Sequence, residues 1–246
     1  MGVRIGVSSS SFRRPLAAGD LTQLEWVERA ASLLGVDGVI ADIADFPRLD
    51  REYVAQLRKI AVDLGIVPFG IDAPGLLDDG AGPDDMTTLS VAREFGALVV
   101  RMLLPPPGDV PPAGFTAAVA RTKVACRLAK TANVTLIVPA AEGTLGADES
   151  AVHHLLKDVD SAWIRACPHA LDESATYPAK ERFPARCAGL DDDPARVVAA
   201  TGNGWLILDA LAPEAPWEAF ASAIAALRAA EMEERRRDRN GRLEPG

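Results

Sequence analysis

Acidic side chains recur in this sequence at the ends of apolar runs. "GVIAD" stops at Asp42, "VPFGID" at Asp72, "RCAGLD" at Asp191 and "GNGWLILD" at Asp209. A buried carboxylate is costly unless it is paired or reaches water, so the fold must give these run ends a shared wet or paired environment. Other reactive types hold comparable positions. Ser8 closes the first apolar run, Arg101 lies within "ALVVRMLL", Glu142 follows "VTLIV" in the loop "AAEGTLG", and His169 follows Cys167 and Pro168. Carboxylates with an imidazole can hold a divalent cation, run acid/base chemistry or hydrogen-bond a polyol. Spacing alone leaves all three open.

Within this set, His169, Asp209 and Glu142 are the candidate catalytic residues, and Asp42, Asp72, Arg101, Asp191 and Ser8 are the candidates for binding substrate. Asp45 lies close behind Asp42. Plainer roles compete with these. Asp191 opens "DDDP", where an acid caps a following helix, and Asp72 precedes "APG", a turn sequence. An inward Arg101 needs a carboxylate such as Asp72, or an anionic ligand. His153 and His154 sit within a helical stretch and read as surface or packing residues.

Eight apolar runs, at 3–8, 38–42, 67–71, 97–104, 134–138, 162–167, 186–190 and 205–209, alternate with stretches of helical spacing. This is the pattern of βα units about a parallel sheet. No GxGxxG or GxxxxGK follows a strand, so the pattern predicts a single (β/α)8 TIM barrel rather than an open nucleotide-binding sheet. In such a barrel all eight run ends open at one mouth, where the acids would ring a water-filled cup. The barrel is expected over 1–230, with a charged helical tail over 231–246. The proline-rich stretch at 103–114 predicts a stiff wall, and residues 171–184, with Tyr177, Lys180 and Arg182, a candidate lid.

Composition narrows the partners. The 246 residues are 48% hydrophobic, enough for one large core. A net charge of -9 speaks against a nucleic-acid backbone as ligand. The expected partner is a small molecule at the mouth, and a homo-oligomer or a homologous partner subunit is compatible with it. Cys126, Cys167 and Cys187 have no CxxC spacing and read as buried thiols in a reducing compartment. The start "MGVRIGVSSSSF" has no charged-then-apolar leader, and no run approaches a membrane span. The expectation is a cytoplasmic protein.

"IGVSSSSF", "LLGVDGVIADIADF", "YVAQLRKIAVDLGI", "SVAREFGALVVRMLLP", "TANVTLIV" and "GNGWLILD" resemble, in order and spacing, the sugar phosphate isomerase/epimerase group of the xylose isomerase-like TIM barrels. The likeness covers most of residues 3–230. It implies a mouth that often holds a divalent metal polarising a hydroxy-ketone or hydroxy-aldehyde during proton transfer. The departures concern that metal. Where the resemblance implies a Glu-Asn-His-like end to strand five, this chain has Pro139 to Ala141, and His169 stands where strand six usually ends in Asp. Ala188 takes the strand-seven His position, Asp209 the strand-eight Glu, and Ile40 a strand-two Glu.

No cofactor is therefore expected. A Mn, Mg or Zn ion would require Glu142 or Asp191 to fill in for the missing ligands. The function expected is that of a diverged isomerase/epimerase-like enzyme acting by metal-independent acid/base proton transfer on a small oxygenated substrate. The alternative is a non-catalytic barrel serving as a ligand-binding or partner-binding subunit. Metal-dependent nucleic-acid hydrolysis, suggested by fold analogy alone, is opposed by the charge and the missing ligands.

Overall fold

The computed structural model describes residues 2–76, 84–106, 112–172, 184–210 and 216–241. Its strands are β1 (Arg4–Ser8), β2 (Gly38–Asp42), β3 (Val67–Asp72), β4 (Val99–Arg101), β5 (Thr135–Pro139), β6 (Ile164–Cys167), β7 (Arg186–Ala188) and β8 (Trp205–Leu208). All eight expected runs are strands. They form one parallel sheet in the order β6-β5-β4-β3-β2-β1-β8-β7. The ring closes between β6 and β7 through one bridge, His169 to Cys187. There the Ala170 amide donates to the Cys187 carbonyl at 2.7 Å and the Cys187 amide to the Pro168 carbonyl at 3.0 Å. The architecture is a single (β/α)8 TIM barrel.

Helices α1 (Arg13–Ala18), α2 (Gln23–Arg29), α3 (Arg51–Asp63), α4 (Asp85–Phe95), α5 (Pro112–Ala132), α6 (Glu149–Val159), α7 (Pro194–Thr201) and α8 (Pro216–Gly241) pack outside the strands. Their starts are written in the sequence. Asp50, Asp84, Asp148 and Asp193 cap α3, α4, α6 and α7 by accepting a first-turn amide, and Thr22 with Glu25 forms a capping box on α2. In α3 the buried residues Tyr53, Val54, Leu57 and Ala61 recur at helical spacing and face the barrel. The charged tail continues α8 through Gly241, and Glu231 ties that helix to the residue preceding β1 by accepting from the Val3 amide at 3.1 Å. Among the described residues, no helix is long and apolar enough to cross a membrane.

Two apolar clusters follow from the alternation of side chains along each strand. One faces outward against the helices; the other, with Ile40, Phe69, Val99, Ile137, Cys167, Cys187, Trp205 and Ile207, fills the barrel. Phe69 stacks on Trp205 with ring centroids 4.2 Å apart. Gly38 leaves room for that indole, since a Cβ there would lie 2.9 Å from the Trp205 ring and from the Val67 carbonyl oxygen. This plug closes the barrel below the mouth.

Strands β4 and β7 stop two or more residues before the ends of their apolar runs. β4 covers only 99–101 of the run at 97–104, because Pro105 and Pro106 follow and cannot donate to a ladder. β7 stops at Ala188, since the Gly189 amide turns to the Asp192 carboxylate at 2.6 Å. The expected lid falls mostly, and the stretch from 103 to 114 partly, outside the described residues; Tyr177, Lys180 and Arg182 are among those not described.

Candidate functional site

Period-two alternation decides which side chains enter the mouth. Two residues beyond the inward-facing Ile40, Val99, Ile137, Cys167 and Ile207 stand Asp42, Arg101, Pro139, His169 and Asp209. Asp42 and Asp72 are directly paired in register, and Asp72 is paired with Arg101. Ser8 completes the rim on β1.

Arg101 is the centre of this rim. Its Nε and Nη2 donate to Asp72 Oδ1 and Oδ2, each at 2.6 Å, while Nη1 and Nη2 donate to Asp209 Oδ2 and Oδ1, the latter at 3.2 Å. Four of the five guanidinium N–H groups thus serve two carboxylates, along both edges of the fork. The side chains of Arg101 and Asp72 are 11% and 5% exposed, and that of Asp209 is 33% exposed. Burial works against the Arg101 cation, but Asp209 and Asp72 more than offset it and hold its pKa well above the ordinary value. Burial pushes the Asp209 carboxyl up against the pull of Arg101, with Asp72 adding to the rise. The Ser8 hydroxyl also donates to Asp72 and meets Ser10 Oγ at 2.8 Å.

A second group adjoins the first. Asp42 is 1% exposed, accepts from the Ala44 amide at 2.9 Å and is ion-paired with Arg13. Its own amide donates to Ser9 Oγ at 2.8 Å, and that hydroxyl donates to Asp45 at 2.5 Å. Burial raises the pKa of both Asp42 and Asp45. The expectation that the acids ring a water-filled cup is therefore corrected for Asp42 and Asp72. They are buried, and cations, hydroxyls and amides satisfy them in place of water.

His169, at the closing seam, points Nε2 at Asp192 Oδ2, 3.1 Å away, while its Nδ1 accepts from the Leu171 amide at 3.3 Å. This pattern places the proton on Nε2 and leaves a basic lone pair on Nδ1 in a long, weak hydrogen bond. Below it, Cys167 and Cys187 face one another with sulfurs 3.3 Å apart. Hydrogen bonding to Cys187 and burial push the Cys167 thiol well up.

The structure thus gathers Ser8, Asp72, Arg101 and Asp209 into one network, with Asp42 alongside and His169 on the same rim. Glu142 is exposed on the β5–α6 loop, and Asp191 is exposed beyond β7. Ala188 packs in the outer cluster, so the inward position after Cys187 is Gly189. Sequence reasoning missed Arg13, Ser9 and Asp192. The hydroxyl run "SSSSF", which begins on the last residue of β1, was a usable signal for Ser9; nothing in "DDD" singled out Asp192.

The metal implied by the resemblance can be tested against these donors. Pro139 and Gly189 offer no ligating side chain, His169 offers only Nδ1, which faces the Leu171 amide, and both oxygens of Asp209 are directed at Arg101. No cluster of three or more His, Cys, Asp or Glu able to hold a metal ion occurs among the described residues. The residues present do not fit the group.

Parallel strands whose carboxyl ends gather polar side chains define the class: a TIM barrel with its site at the C-terminal mouth. Several solved structures superpose on this barrel over at least 92% of the chain. A 3-keto-D-glucoside 4-epimerase from E. coli superposes with a TM-score of 0.70 at 12% identity, over 92% of this chain and 99% of that one. A probable 3-DHS dehydratase involved in petrobactin synthesis, from Bacillus anthracis, gives 0.67 at 15% identity over 92% and 98%. A xylose isomerase-like TIM barrel/4-hydroxyphenylpyruvate dioxygenase fusion protein gives 0.60 at 16% identity, over 100% of this chain and 46% of that one. No family model and no curated protein matches the sequence.

Proposed function

We propose that the chain is a sugar-modifying enzyme of the isomerase/epimerase kind, moving a proton on a small hydroxy-carbonyl substrate held in the barrel mouth. The observation that carries this reading is the His169–Asp192 pair, an inward imidazole oriented by a carboxylate at 3.1 Å with Nδ1 as its basic atom. A base held in one tautomer by an acid is the arrangement general base catalysis needs. Once released from the long bond to the Leu171 amide, His169 Nδ1 accepts the substrate proton, and Asp209, whose carboxyl is raised and a third exposed, is the second proton-carrying group. Arg101 and Asp72 hold Asp209 in place and present the polar wall against which hydroxyls are oriented. The solved relatives named as an epimerase and a dehydratase of oxygenated substrates support the reaction class.

The test is exchange of substrate C–H for deuterium in D2O, followed by NMR over a panel of free ketoses and keto-glycosides. The parent is expected to label at least one compound, and His169→Ala to slow that labelling by about 10²-fold or more. A variant that labels as fast as the parent removes His169 from the chemistry. The mutual saturation of Arg101, Asp72 and Asp209 favours a second reading, a sugar-binding barrel without turnover. Binding of panel members with no labelling would identify it.

A further inference from the structure

We infer that the mouth is built around a fixed monovalent cation, the Arg101 guanidinium, which takes up the carboxylates a divalent metal ion would need and excludes such an ion. The inference deepens the reading of the same mouth, but its test measures metal binding, so it stands or falls apart from turnover.

Three observations carry it. First, the guanidinium is held on both edges, with Asp72 on the Nε/Nη2 side and Asp209 on the Nη1/Nη2 side. A metal ion would have to displace N–H donors from both oxygens of whichever carboxylate it took. Second, the charges are already balanced to within one unit, two carboxylates against one cation whose charge is fixed. A dication entering beside Arg101 would meet a like charge in a site the side chains screen from water. Third, among the described residues the neighbouring rim strands supply no replacement carboxylate. Pro139 and Gly189 have none to give, and Asp42 is committed to Arg13 and the Ala44 amide.

The arrangement has a chemical meaning. A divalent ion at a sugar site supplies positive charge near a developing oxyanion. Arg101 supplies one positive charge from β4 without an exchangeable ligand, and its fifth N–H, on Nη1, meets no acceptor among the described residues and can serve a substrate oxygen. The cation is also covalently fixed, so chelators have nothing to remove.

The experiment is calorimetric titration of the full chain with MnCl2, for the parent, Asp209→Asn, Arg101→Ala, Arg101→Lys and Arg101→Ala/Asp209→Asn, each checked for folding by circular dichroism. The parent is expected to show no Asp209-dependent site. Arg101→Ala frees Asp72 and Asp209 as a carboxylate pair and should gain one Mn²⁺ site, binding roughly tenfold or more tighter than any parent signal, about 1.4 kcal/mol. Arg101→Lys, which keeps a cation, should gain none, and adding Asp209→Asn should abolish the gain. Arg101→Met, which keeps the length of the stem, serves if Arg101→Ala does not fold. A parent that binds one Mn²⁺ and loses it on Asp209→Asn overturns the inference. So does a folded Arg101→Ala or Arg101→Met chain with no gained site. If neither variant folds, the parent and Asp209→Asn titrations decide: absence of an Asp209-dependent site supports the inference and its presence refutes it.

Discussion

Replacing Arg101 with methionine should destabilise the fold far beyond the loss of a surface ion pair. Exposed pairs contribute about 0–1 kcal/mol, but here the cation is 11% exposed and its first partner, Asp72, is 5% exposed. The substitution keeps the apolar stem and removes all five N–H donors, four of them engaged with carboxylates, so its main effect is to leave Asp72 buried without a counterion. Breaking a buried pair from one side costs about 3–5 kcal/mol, a large part of the roughly 5–15 kcal/mol that holds a typical domain together. For a chain of this size that corresponds to a melting temperature lower by about 6–20 °C. The orphaned charge is the cause, so Arg101→Met/Asp72→Asn should recover most of the loss, which adding two independent single costs would not produce. Urea unfolding of the parent, both single variants and the double variant, with EDTA present, measures the cycle. A single variant within about 1 kcal/mol of the parent, or a double variant no better than Arg101→Met, would refute the reasoning.

Two further outcomes follow from the same rim. Burial raises the pKa of Asp42, Asp45 and Asp209, so the folded state holds protons the unfolded chain has released. These groups therefore favour folding at acid pH and cost stability as the pH rises through their folded pKa values. Asp42→Asn should flatten the fall in unfolding free energy from about pH 4 upward, as measured by urea titration at several pH values; an unchanged slope would show that Asp42 is not responsible. Cys126, Cys167 and Cys187 are free and buried, and the thiols of Cys126 and Cys167 are pushed up. All three should resist Ellman's reagent in the native protein and react at once in denaturant; rapid native labelling of two thiols would mean that the β6–β7 seam stands open.

The barrel was legible because its strands are short apolar runs with helical stretches between them, a local signal that survives without any long-range information. Membership of the rim was legible for the same reason, since the residue two beyond an inward apolar side chain must also face inward. The pairing of Arg101 with Asp72 could be anticipated, because β3 and β4 are neighbours. Its pairing with Asp209 spans 108 residues and depends on the ring having closed. Asp192 was hidden by its neighbours. In "LDDDP", one acid of three turns back because the Gly189 amide is available to its carboxylate, and Asp191 points to solvent instead. Arg13 lies in α1, where its helical position gave no sign of a reach toward Asp42.

The joint between β6 and β7 gives the ring a direction in which to breathe. Seven of its eight neighbouring strand pairs share a ladder, whereas this one has a lone bridge at the rim and a contact between two thiols beneath it. Such a hoop behaves mechanically as a long ribbon fastened by a clasp, and fluctuations of the whole sheet concentrate where the fastening is thinnest. The His169 imidazole sits on that clasp, so opening of the seam would carry it along. Stiffening the clasp would make the protein sturdier and, by the same act, slower to admit and release whatever it handles.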